Sequence, residues 1–152
     1  MPGTSSARPS PAAAPTSGEA SAETVRQSLA ARYLAIATPA NRRLDHDFDR
    51  LEDLDHSDLA AARADLRDIA ATERLFDHQL LGIPFPPPIG PVARSLVRVN
   101  QARAALTTAA AGSASLARLR SCEPRLDAAN GPVEEAVRVI RAQLDLPPPD
   151  TS

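Results

Sequence analysis

Two apolar stripes with alternating three- and four-residue spacing, each broken once by a charge, constrain this chain more than any other feature. One runs Leu59, Ala62, Leu66, Ile69, Glu73, Phe76, Leu80, and the other Val92, Leu96, Val99, Arg103, Leu106, Ala110. That spacing places the members on one side of an α-helix, whereas a half-buried strand would alternate every second residue. Glu73 and Arg103 carry opposite signs and stand where the pattern calls for a core side chain. A charge held in a helix-packing seam must find a partner or change its protonation. The pattern therefore predicts a helical bundle with an ion pair inside it.

Two further stripes complete the bundle. Val25, Leu29, Tyr33, Ile36, Ala40, Leu44, Phe48 and Leu51 share a face over about residues 22–54. The stripe keeps its phase across Pro39, so a kinked but continuous first helix is expected. Leu116, Leu119, Leu126, Val133, Val137, Ile140 and Leu144 do the same through Pro124 and the Gly131-Pro132 pair. They predict a long, kinked last helix with Asn130 as a candidate break. Between these, Asp55 to Ser57 reads as a tight turn, with Asp55 or Ser57 as N-cap of a second helix over about 58–81. Gly82 ends that helix, and IPFPPPIGP (residues 83–91) reads as an extended loop whose last proline suits the first turn of a third helix, about 91–112. Three short connections among four amphipathic helices imply an all-α, up-down-up-down four-helix bundle over residues 21–146. Residues 1–20, MPGTSSARPSPAAAPTSGEA, hold too little apolar surface to offset the entropy of ordering and read as a disordered tether; 147–152 read as a flexible tail.

Bulk properties narrow the function classes. At 152 residues the chain fits one domain with a real core. Its 17 basic and 19 acidic side chains leave a formal charge of -2, which argues against a nucleic-acid or anionic-membrane surface. Every basic residue is arginine, a bias that long alanine runs suggest is compositional. Aromatic residues make up 3%, too few for base stacking. Cys122 stands alone, which rules out an internal disulfide and a cysteine-based metal site. No apolar run reaches the ~18 residues of a membrane span, so no transmembrane segment is expected, and a lipid anchor would require residues ahead of Met1.

Counting levels from the turns brings Glu73, Arg103, Asn100, Asn130 and Asn41 near one height, a polar layer across mid-bundle. A buried ion pair that fixes helix register explains such a layer most simply, and a polar ligand site is the sharper reading. A second cluster lies in Asp45–Asp58, where His46, Asp49, Asp53 and His56 share a side at helical spacing and could offer nitrogen and oxygen ligands to a divalent metal. Against that, neither Glu52 nor Glu73 has a histidine three residues on, as carboxylate-bridged bundles use, and the glycine of an EF-hand loop is missing. Solvated acidic residues at a helix end are the plainer account. Phe85-Pro86-Pro87-Pro88 has the form of a proline-rich docking ligand, although prolines between helices mostly stiffen a loop. His78 lies near Asp77 and Glu73, but no serine or cysteine occupies a nucleophile context. The arginines of the last helix, Arg118 to Arg141, are expected to pair with the acidic residues of the first.

The Ser/Pro/Ala tether, ANRRLDHDF (40–48), ATERLFD (71–77) and LDAANGPVEEAVR (126–138) together resemble small uncharacterised secreted or lipoprotein-type helical proteins of actinobacteria. The resemblance implies export, while the chain shows neither an apolar signal region nor a lipobox cysteine. The resulting expectation is a non-enzymatic extracytoplasmic bundle, without cofactor, acting through contacts with an unknown protein partner. A small-ligand or divalent-metal binding or sensor bundle is the alternative, and a cytoplasmic adaptor the third reading.

Overall fold

The computed structural model describes residues 17–149 together with Gly3. Among the described residues the regular elements are all helical: α1 (Ser17–Arg50) runs directly into a π-helical turn (Leu51–Asp55), followed by α2 (Leu59–Leu81), α3 (Gly90–Ala111) and α4 (Leu116–Gln143). α1 packs on α2, α2 on α3 and α3 on α4, as short connections between antiparallel neighbours require. The architecture is the four-helix bundle that the stripes predict. Among the described residues, no helix is long and apolar enough to cross a membrane.

Helix ends follow local chemistry, with small departures from the sequence expectation. Asp58, rather than Asp55 or Ser57, caps α2: its backbone is extended and its carboxylate accepts the amide of Ala61 at 3.1 Å. Ser115 caps α4 in the same way through the amide of Arg118 at 3.2 Å. The Pro-rich connection is a turn rather than an extended segment. The amides of Ile89 and Gly90 both donate to the carbonyl of Pro86, Ile83 and Ile89 are buried, and Phe85 packs on the lower core. That geometry anchors the connection through Ile83 and Ile89 and leaves Pro87 and Pro88 exposed.

Proline does not break α1 or α4, and α4 continues through Asn130 without a split. Pro39, Pro124 and Pro132 all face solvent. The carbonyls they leave without an amide partner, four residues earlier, belong to Ala35, Arg120 and Ala128, which are exposed as well. Water can satisfy them there, so the lost helix bonds carry a small cost.

At the chain's ends the boundaries shift. Of the expected tether, residues up to 16 lie outside the described residues except Gly3, while Ser17–Ala20 form the first turn of α1. From Ser17 to Ser28 every side chain is exposed, and Leu29 is the first to be buried. The expected flexible tail is anchored at its start, because Arg141 Nε donates to the carbonyl of Pro147 at 2.6 Å. Asp150–Ser152 lie outside the described residues.

α4 terminates in a Schellman arrangement. The amide of Leu146 donates to Arg141 and that of Asp145 to Ala142, with Asp145 in the left-handed region at φ 57° and Leu146 packed on the core. Glycine takes that conformation without strain, and a carboxylate at a helix C-terminus opposes the helix dipole. Asp145→Gly is therefore expected to stabilise the protein by about 1 kcal/mol, read as a rise in the urea midpoint with unchanged slope.

The apolar core is in two parts. The lower part gathers Leu29, Tyr33, Leu80, Leu96, Val133 and Ile140 with their neighbours; Tyr33 meets Phe76 edge-on with ring centroids 6.4 Å apart. The upper part is built on Ala62, Leu66, Ile69, Ala110, Ala111 and Leu119. Between them α2, α3 and α4 present polar side chains. There α1 also changes its footing. Beyond Pro39 its predicted stripe residues Ala40, Leu44 and Leu51 are only half-buried and Phe48 is 38% exposed.

Candidate functional site

The polar layer separating the two cores centres on Arg103 of α3. Its Nε lies 2.9 Å from Glu73 Oε1 of α2, one of its terminal nitrogens donates to Asn100 Oδ1 at 3.0 Å, and the other reaches Asn130 Oδ1 of α4 at 3.4 Å. A planar guanidinium with five N–H donors can address three helices at once, which an ammonium on a flexible stem does less well. Asn100 completes the link to α2 by donating to Asp77 Oδ1 at 2.8 Å and to the backbone carbonyl of Glu73 at 3.2 Å. Glu73, Asp77 and Asn100 are all buried, and Arg103 is nearly so.

The layer is under-supplied with donors. Arg103 pairs with one oxygen of Glu73 at 2.9 Å, while Glu73 Oε2 and Asp77 Oδ2 have no hydrogen-bond partner. Two carboxylates also share one guanidinium. Burial pushes the Glu73 carboxyl above its ordinary range; Arg103 opposes the shift and Asp77 adds to it. Burial likewise lifts Asp77 to about 6, against the pull of the Asn100 hydrogen bond and of Arg103.

A cleft of about 400 Å³ lies over this layer, with Glu73, Arg103 and Thr107 deep within it. Its walls come from the end of α1 and the π turn on one side and from α4 on the other, where α1 and α4 do not pack as closely as sequential helices do. Phe48, Leu51, Leu66, Leu119 and Leu126 give it apolar walls; Glu52, His56, Arg120, Glu123, Asp127 and Asn130 supply the polar groups. The size and the mix of apolar wall with a few buried polar groups are those of a small-molecule site between helices of a bundle.

A second buried acidic group sits beside the cleft's upper end. Asp65 of α2 is pushed up to about 6, first by burial, then by a hydrogen bond and repulsion from Asp55, with Arg50 opposing and Asp47 adding. Arg50 lies 3.8 Å from Asp65 and 3.7 Å from Asp55. The π turn that carries Asp55 also supplies Leu51 and Glu52 to the cleft wall. π-helical turns recur at functional positions in helices.

Of the residues that the sequence marks, the structure gathers Glu73, Arg103, Asn100 and Asn130 in one connected layer. Asn41 does not belong to it. The inward face of α1 passes through Ala37, Ala40, Leu44 and Asp47, and Asn41 is exposed, turned about 100° from its neighbour Ala40. Nor does the metal cluster assemble: His46, Asp49, Asp53 and His56 are all exposed, His46 is near only Asp47 at 3.4 Å, and no group of three or more metal-type ligands forms among the described residues. The shared side assumed an α-helical register through to His56, which the wider i→i+5 turn at Leu51–Asp55 breaks. The arginines of α4 also behave differently: Arg138 pairs with Glu135 on its own helix, and Arg141 turns to Tyr33 and Pro147.

Sequence reasoning overlooked Asp47, Asp65 and Asp77 as buried groups. For two of them a signal existed, since Asp65, Ile69, Glu73 and Asp77 follow one another at four-residue intervals along a buried edge of α2. Compared with known protein families, characterised proteins and solved structures, the chain matches none.

Proposed function

We propose that this protein is a small-molecule-binding bundle, and that the cleft over Glu73 and Arg103 is its binding site. One observation carries the reading: a fully buried carboxylate, held by Arg103 through one oxygen and with no partner for the other, lines a cleft of about 400 Å³. Leaving a buried acceptor unmade costs about 1–3 kcal/mol. A bundle whose layer served register alone would do better to close its helices over the pair. Here α1 and α4 are not closely packed, and the polar layer parts the apolar core in two. Action through protein contacts has weaker support, because the exposed large apolar residues outside the cleft, among them Val25, Leu54, Leu75 and Val139, are spread over three helices and the π turn.

Amide spectra recorded with a small fragment library test the proposal. Saturable shifts should concentrate at Glu73, Arg103, Thr107 and Leu126, with affinities in the millimolar range or better. Leu126→Trp, which fills the cleft from a half-buried position on α4, should abolish them while the spectrum stays that of a folded protein. Shifts scattered over the surface, or unchanged in the tryptophan variant, would sink the idea.

A further inference from the structure

Resting on that reading of the cleft, we propose that its ligand is a compact organic cation: an amine with a hydrocarbon or aromatic body. The first argument is what the site lacks. Arg103 meets one oxygen of Glu73, and the other, Oε2, is buried without a hydrogen-bond donor, so the missing complement is N–H rather than carbonyl or carboxylate. An ammonium supplies donors and charge together, and hydrogen bonds to ionised groups are about twice as strong as neutral ones.

Charge gives the second argument. Four carboxylates line the cleft, those of Glu52, Glu73, Glu123 and Asp127, against the two guanidiniums of Arg103 and Arg120. An anion entering would meet that excess, and Arg103 is already committed to Glu73, Asn100 and Asn130. A cation is drawn in. The walls supply the third. Phe48 and the leucines that line the cleft accept an apolar body.

Three probes of one shape separate the possibilities: phenethylamine, phenethyl alcohol and 3-phenylpropanoate, titrated into the full chain at pH 7.5 by calorimetry and amide shifts. The amine should bind about tenfold more tightly than the alcohol, and the acid should bind least. Glu73→Gln should erase the amine's advantage over the alcohol. Should that variant fail to fold, Glu123→Gln with Asp127→Asn alters only exposed positions and should still narrow the amine's advantage over the alcohol several-fold. Equal affinity for amine and alcohol, or preference for the acid, overturns the cation assignment and leaves the binding cleft standing. If none of the three moves the amides of the cleft, the binding reading falls with it.

Discussion

Arg103→Ala should be the most damaging single substitution in the bundle, at about 5 kcal/mol, with Glu73→Ala nearer 3 kcal/mol. The asymmetry follows from the geometry. Without Arg103, Glu73 loses its ion-pair partner, Asp77 a nearby cation, and Asn100 and Asn130 a donor, whereas without Glu73 the guanidinium keeps both asparagines and the attraction of Asp77. Replacing both, as Glu73→Leu with Arg103→Leu, should cost less than the two single changes added together, because the leucines join the cores above and below while Asp77 takes up a proton. Urea unfolding of the two singles and the double, arranged as a mutant cycle, measures the coupling. Small additive losses, each under ~1 kcal/mol, are what an exposed pair would give and would rule out a buried layer.

Stability should fall as pH rises from 4 to 7.5, the reverse of ordinary acid denaturation. Asp65 and Asp77 titrate near 6 in the folded protein, against 3.8 for a free aspartate, and Glu73 is raised as well. Between those values the folded chain holds protons that the unfolded chain has released, so the unfolding free energy declines with pH. The contribution is complete below about pH 4 and lost once the pH passes the folded values near 6. A tenfold change in proton affinity on folding corresponds to about 1.4 kcal/mol; halved for the water that reaches the rims of both sites, the two aspartates together give a loss of about 3 kcal/mol. Urea midpoints at pH 4 and pH 7.5 report it directly, and Asp65→Asn with Asp77→Asn should flatten the dependence. A protein that is weaker at pH 4 than at pH 7.5 would show that these carboxyls are ionised and compensated in the fold.

What can be read from the chain in advance depends on how a residue announces itself. Glu73 and Arg103 are legible because each displaces an apolar residue from a seam, and Asn100, three positions before Arg103, inherits the same face. Asp65 and Asp77 escape notice because Leu66 and Phe76 stand next to them and satisfy the apolar pattern at each turn. Asp47 is hidden beside Phe48 for the same reason, and the structure puts the acid inward and the ring at the cleft wall. Nothing in Leu-Glu-Asp-Leu-Asp distinguishes a π turn from an α turn, so α-helical spacing gives the histidines and aspartates around it a common side that they do not share. The cleft itself is out of reach, since a separation between the first and last helices is a property of the assembled bundle and leaves each stripe intact.

The polar layer has one more consequence, for how the molecule comes apart. Among the described residues, thirteen buried apolar side chains form the lower core and six the upper, with charged groups between them instead of continuous packing. Local opening free energy follows the apolar contact that must be surrendered. The two ends are therefore cooperative units of unequal strength, and the weaker one is the end that holds the upper walls of the cleft. Excursions that part α1 from α4 there need not disturb the lower core, so under the proposed binding reading a ligand would enter and leave within the folded lifetime of the protein.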